Sequence, residues 1–451
     1  MTKARLSAVV LALGLTACVH YAPAPPHPAQ FAAAIDARTL DEKPPGAAWS
    51  GADLLAAALR RNPQIAEARA KYAAALAAAR AAKASPGPSL TLTAEYANEA
   101  PHWGYSGGSD IPLDIGTRRS ARITTAQLQA LQAFYDLGEA VWSVRTALEK
   151  ARGDLNAART EMVLATLAAG VRADRAGRME ERVRAGQDAR ALAIAAQGDA
   201  VNANRRAAAA NGRREAAVAD LAKALGVSPA AARDLVLDPV VEAPPLTDLA
   251  AWRRDAAISR RDVLRAIADY DLAEQALRLE VANQYPSVSL GPGYNYDHGV
   301  TKLPFNLSLA LPPWDLNRHA IAQAEAARAA AGRSLELAQA NALAQVDTAT
   351  AALTTAQDDF RRTRDRDLPM AQRAHAGADR SLRAGEGDKV DELAAEGAVL
   401  DAQLALLDAR HAAAGATADL EDALRRSFDP AETALIGQAM TEAQTKAGVG
   451  R

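Results

Sequence analysis

The side chains that could carry chemistry are few and dispersed. Cys18 is the only cysteine, so the chain can form no internal disulfide and keeps one thiol close to its N-terminus. The seven histidines (His20, His27, His102, His298, His319, His375 and His411) stand at no metal-ligand spacing. No Ser/His/Asp arrangement, Gly-rich phosphate loop or paired-carboxylate motif stands out. These residues predict no enzyme, no cofactor and no resident metal. Carboxylates are the remaining candidates: Glu386, Asp388, Asp391 and Glu392 crowd behind Gly385. Repeated around a symmetry axis, they would form a like-charge ring that favours cations and repels itself. At the start of a helix they would simply complement the macrodipole. Both readings stand at this level.

Composition says what kind of scaffold must hold them. The chain has 451 residues, 49% of them hydrophobic, yet only 4% are aromatic and 5 are Met, so much of the apolar fraction is alanine. Alanine buries little area, at about 0.8 kcal/mol per CH₂, and small side chains suit closely spaced helices better than thick cores. Lys+Arg 52 against Asp+Glu 54 gives a net charge of −2, which offers nucleic acid no basic surplus. No apolar run reaches eighteen residues, so a helical membrane span is excluded and any crossing must be made by strands.

The N-terminus has a secretory pattern: Lys3 and Arg5 precede a short apolar run from Leu6 to Leu15. Leu15-Thr16-Ala17-Cys18 resembles the bacterial lipoprotein box, which implies a signal peptide over 1–17 and lipid attachment at Cys18; an ordinary signal peptide that contains a cysteine is the other reading. Val19 is not aspartate, which in that class favours the outer membrane over retention at the inner one. Residues 18–50 are rich in Pro and Ala, without helical or strand periodicity, and read as a lipidated tether.

The rest is a duplication. Pro88-Ser89-Leu90-Thr91-Leu92 recurs as Pro286-Ser287-Val288-Ser289-Leu290, and Arg184-Ala185-Gly186 recurs as Arg383-Ala384-Gly385, at offsets of 198 and 199. The repeats span 51–237 and 248–428, with a Pro-containing linker at 238–247 and a flexible tail at 429–451. Each repeat opens with a helix (about 51–84 and 248–284). Period-two alternation then predicts strands at about 89–99 and 103–115, and at about 287–297 and 302–312. Each is near the ten residues that a tilted strand needs to cross a bilayer, and many of the scarce aromatics gather there. Soluble amphipathic hairpins packed on helices are the alternative. Long helical hairpins follow, turning at about 186–188 and 385–388, with Pro369 expected to kink the second. Leu393, Gly397, Leu400, Leu404, Leu407, His411, Ala414 and Ala418 form a heptad seam, which gives His411 a structural reading.

This order of elements, with Ala58-Leu59-Arg60-Arg61-Asn62-Pro63, Ile111-Pro112-Leu113-Asp114-Ile115-Gly116 before Arg118-Arg119, and Gly291-Pro292-Gly293-Tyr294, resembles the bacterial outer membrane factor (TolC) family. The resemblance implies a mainly α fold with a small β part. It implies a homotrimer whose chains pool four strands each into a twelve-stranded transmembrane barrel, continued by a trimeric α-barrel through the periplasm. It further implies outer-membrane lipid around the barrel, a periplasmic adaptor docked on the hairpin tips, and an inner-membrane transporter of the resistance-nodulation-division type. By the same resemblance Gly186, Gln187, Asp188, Gly385, Glu386 and Gly387 are docking residues, and Asp391, with Glu392 and Asp388, is the periplasmic gate. Leu192 holds the corresponding place in the first hairpin, and Ala394 the next acidic one. The Gly291 to Arg318 region points to heavy-metal cations as cargo, with drugs or other small molecules second. A periplasmic adaptor or a non-pore coiled-coil lipoprotein is the rival reading.

Overall fold

The computed structural model describes residues 21–44, 46–98, 100–113, 117–239, 248–297 and 299–446. The expected leader, Cys18, Asp114 to Gly116 and the Pro244-Pro245 break lie outside these residues. Through the first repeat the order is α1 (Pro28–Asp36), β1 (Ala48–Trp49), α2 (Gly51–Arg61), α3 (Pro63–Ala81), β2 (Ser89–Tyr96), β3 (Trp103–Pro112), α4 (Thr117–Arg184), α5 (Arg190–Leu225), α6 (Pro229–Arg233) and β4 (Val236–Leu237). The second continues with α7 (Leu249–Ser259), α8 (Arg261–Ala282), β5 (Ser287–Asp297), β6 (Val300–Lys302), β7 (Phe305–Ala310), α9 (Arg318–Arg362), a π-helical turn (Thr363–Asp367), α10 (Leu368–Arg383), α11 (Lys389–Leu424) and α12 (Pro430–Lys446). α4 runs unbroken for 68 residues, about 100 Å.

Where one opening helix was expected, each repeat has two. Asn62 ends α2 and starts α3: its side-chain oxygen accepts from the Gln64 amide at 2.8 Å, and Pro63 sits where no amide is needed. The same side chain donates to Ala224 O at 2.8 Å, tying the break to the end of α5. Gly226 closes that end at φ +74, and a Cβ there would meet Arg61 O at 2.7 Å. The second repeat breaks at Arg260, whose buried guanidinium donates to Ala423 O at 2.7 Å. Arg425 takes the left-handed position at φ +50. One knot is thus built twice with different side chains.

Large apolar side chains concentrate around these knots. Leu54, Leu55, Leu148, Leu155, Leu221 and Leu225 form the first core, and Val346, Leu353, Leu420 and Leu424 the second. Farther along the long helices buried contacts are mostly alanine, as at Ala176, Ala193, Ala196 and Ala200. Pro369 is accommodated by the π turn before it, which absorbs the missing donor within a continuing helix.

Two terminal expectations are overturned. The tether up to Ser50 contains α1, and its Arg38–Trp49 part docks on the first repeat. There β1 pairs in parallel with β4, Trp49 is buried, and Arg38 donates to Arg61 O at 2.9 Å and Gly226 O at 3.1 Å. The segment read as a flexible tail forms α12, held by buried Ile436 and Met440 and by Glu432. Periodicity missed both because the contacts that order them come from distant parts of the chain.

The Glu432 contact belongs to a buried ionic cluster. Arg145 on α4 pairs with Glu432 at 2.7 Å and Glu421 at 2.8 Å, while Arg152 pairs with Glu149 at 2.6 Å. Glu149 and Glu432 both approach Gly51, where a Cβ would stand 2.7 and 2.6 Å from their oxygens, so a side chain there would have to displace these carboxylates. Burial pushes the Glu149 carboxyl up to about 7 and raises that of Glu421.

Two outcomes are expected. Glu432→Ala, by under-compensating a buried guanidinium, should destabilise the protein by about 3 kcal/mol and expose α12 to protease; unchanged proteolysis would show that α12 is held by its apolar contacts alone. A carboxyl whose folded pKa is raised contributes stability below its unfolded value of 4.5 that is lost as pH climbs through about 7. Thermal unfolding of Glu149→Gln should therefore lose less stability than wild type across that window; parallel profiles would remove Glu149 from the pH response.

Candidate functional site

The strands build one end of the site. β2, β3, β5 and β7 form an antiparallel sheet in that order, with the short β6 beside the far end of β5. Register decides which residues share a face, because directly paired residues point the same way. Leu92 pairs with Gly107, which pairs with Tyr294; Ala94 pairs with Tyr105, which pairs with Tyr296; Ile111 pairs with Leu290, which pairs with Leu307. One face therefore carries Leu90, Leu92, Tyr96, Trp103, Tyr105, Ile111, Leu290, Tyr294, Tyr296, Phe305, Leu307 and Leu309, opposite Ser, Thr, Asn and Asp residues.

Among the described residues nothing covers that face. Leu90 is 71% and Leu92 75% exposed, and every residue of β2 and β7 is exposed. Tyr96, Trp103 and Tyr105 cluster at the turn end, with ring centroids 5.1 and 6.3 Å apart in sequence. Tyr285 and Trp314 stand exposed at the helix end. The outer edges of β2 and β7 have no strand partner among the described residues. No helix among those residues is long and apolar enough to cross a membrane.

Basic side chains join sheet to helices. Arg122 at the start of α4 donates to Ala82 O and Ala84 O, both at 3.1 Å, and Arg118 reaches Ala282 O at 3.4 Å. These carbonyls end α3 and α8, so the strand-to-helix junction is fastened where helix dipoles are negative.

The hairpin tips form the other end. Gly186 (φ +75) and Gly385 (φ +74) make left-handed turns. At Gly387 a Cβ would lie 2.9 Å from the Leu382 amide nitrogen, so the second tip requires glycine there. Gly186, Gln187, Gly385 and Glu386 are exposed, while Asp188 and Asp388 are half-buried. Asp388 caps α11 by accepting from the Val390 amide at 3.1 Å. Arg182, which sequence spacing did not single out, pairs with Asp188 at 2.6 Å and also with Asp388, bridging the two hairpins. Val390 sits among Ala176, Ala193 and Ala196 of the first hairpin and adds an apolar lock.

The candidate gate residues separate. Asp391 is exposed, as is Leu192 in the first hairpin. Glu392 is only 8% exposed and turns into its own hairpin, which corrects its placement in an exposed ring. It pairs with Lys389 and stands 3.5 Å from His375 Nε2. The Lys389 ammonium holds its carboxyl below the usual range. Glu396 approaches the same point, so α10 and α11 bring together a histidine and two carboxylates whose separation in sequence carried no ligand pattern. His411 pairs with Asp154 at 3.0 Å across α11 and α4, a contact between packed helices.

Comparison of the sequence with curated proteins finds no match. Among solved structures, VceC from Vibrio cholerae matches at 20% identity over 83% of this chain and 96% of that one, with a TM-score of 0.69. CusC matches at 17% identity over 90% and 99%, TM-score 0.68, and the CmeC outer membrane channel of Campylobacter jejuni at 13% over 94% and 97%, TM-score 0.69. These likenesses show a shared fold, mainly helical with a small sheet. The family model described as outer membrane efflux protein matches residues 54–227 and 252–424, one match on each repeat, and the chain therefore belongs to the outer membrane efflux protein family.

Proposed function

We propose that the protein is one subunit of a homotrimeric exit duct, lipid-anchored at Cys18, that conducts small solutes across the outer membrane. The carrying observation is the four-stranded sheet with one continuous exposed apolar face and two edges that no strand among the described residues pairs. In hydrocarbon each unsatisfied backbone group costs several kcal/mol, so such a sheet is stable in lipid only when other copies close it. Three chains would supply twelve strands. Tyr96, Trp103 and Tyr105 at one end and Tyr285 and Trp314 at the other fit two interfacial girdles.

The helices fit the same assembly. α4 buries residues along its length, whereas α10 buries none, which leaves the side of α10 away from α11 open to a neighbouring copy. The exposed tips are suited to an adaptor that links the duct to an inner-membrane transporter of the resistance-nodulation-division type. Heavy-metal cations are the favoured cargo, from the resemblance of the Gly291 to Arg318 region, and drugs or other small molecules come next. The duct has no catalytic part in this reading: Asp391, repeated threefold, sets a charge at the mouth, while Arg182 and its two aspartates tie the hairpins at the tip.

Planar-bilayer recording with heat-modifiable gel migration tests the reading. A heat-sensitive oligomer that conducts is expected; soluble monomers without channels after removal of Cys18 would overturn it. Asp391→Ala should raise single-channel conductance or weaken block by multivalent cations, and unchanged values would take Asp391 out of the gate. Arg182→Ala removes two partly exposed pairs worth about 0.5–1 kcal/mol each. That should raise the open fraction about tenfold, and an unchanged fraction would show that the bridge does not hold the mouth.

A further inference from the structure

The convergence of His375, Glu392 and Glu396 serves no purpose in the duct as described. Glu392 and Glu396 are one turn apart on the face of α11 that meets α10. Their oxygens and a ring nitrogen of His375 all lie within 4.8 Å of one another. His375 Nε2 is shielded from solvent and makes no hydrogen bond, with Glu392 Oε1 3.5 Å away. Two ligands bound at about 2.0–2.2 Å to a tetrahedral ion stand about 3.4 Å apart, so this pair already has ligand spacing. A Glu396 oxygen lies within 4.8 Å of both as the third ligand.

We propose that His375, Glu392 and Glu396 form a binding site for one divalent transition-metal cation of the zinc type, clamping the two arms of the second hairpin near its tip. One imidazole and two carboxylates suit zinc, cobalt or nickel. Magnesium and calcium prefer all-oxygen sets, and copper(I) prefers sulfur. A water would complete four-coordination. Lys389 is the built-in competitor: its ammonium neutralises Glu392, and its side chain is 48% exposed, so it can swing aside as the cation enters. The ligands lie within one hairpin of one chain, so the site does not depend on whether the assembled protein conducts.

The test uses the full-length protein in detergent, titrated with Co²⁺ and followed by visible absorption, with Zn²⁺ as competitor. One Co²⁺ per chain, with the intense bands of four-coordinate cobalt and displacement by Zn²⁺, is expected. His375→Ala and Glu396→Gln should each weaken binding by about tenfold or more, at least the effect of losing an outer-shell partner. Lys389→Ala should tighten it, a gain that misfolding cannot mimic, and His411→Ala should leave it unchanged. Equal affinity in wild type, His375→Ala and Glu396→Gln, or no tightening in Lys389→Ala, would overturn the site.

Discussion

Unpaired backbone along β2 and β7 is the constraint to which the rest of the molecule answers. A strand edge exposes a row of amides and carbonyls, and here two such edges flank a sheet whose large side chains all but vacate one face and crowd the other. Water can satisfy the edges but not the apolar face; lipid can satisfy the face but not the edges. Only pairing with further strands meets both demands at once. The helices must then hold four strands in register at one end while leaving both flanks open to neighbouring copies.

They do so with little apolar volume. Each repeat concentrates leucine at one level, around the break between its first two helices, and there the long helices are fixed. Beyond that level alanine allows close axes without a thick core. The two knots show what duplication preserves: a side chain at the break reaches a carbonyl near the end of the last helix. Asn62 does this in the first repeat and Arg260 in the second. The partner position changes too, from Gly226, packed against the Arg61 carbonyl, to Arg425 in the same left-handed turn. Geometry is retained while the chemistry that enforces it differs. The Arg145 cluster has another role, since it fastens α4 of the first repeat to α11 of the second and to α12 beyond it.

Much of this was legible from local pattern. Period-two alternation located the strands because Leu90, Leu92 and Tyr96 must share a face in any extended chain. The glycines of the Arg-Ala-Gly repeats located the tips because both turns require positive φ. The heptad run from Leu393 to Ala418 appears as a largely buried seam on α11. The break at Arg260 was less visible, because its guanidinium finds the Ala423 carbonyl about 160 positions away; at Asn62 the stop is local, an Asn-Pro pair capping the next helix, and the distant Ala224 carbonyl only anchors it.

The sequence by itself determined the repeat, the order of its elements, the apolar stripe of each strand and the positions of the turns, since each follows from backbone geometry over a few residues. Only the tertiary structure decided what the polar side chains at the tips do. Asp388 and Glu392, four residues apart, part company: one is bridged by Arg182 from the other hairpin, while the other turns inward to Lys389, His375 and Glu396. The physical reason is that a carboxylate takes its role from the charges and donors that packing brings within a few ångströms, and α4 meets the α10–α11 hairpin there from a distant part of the chain.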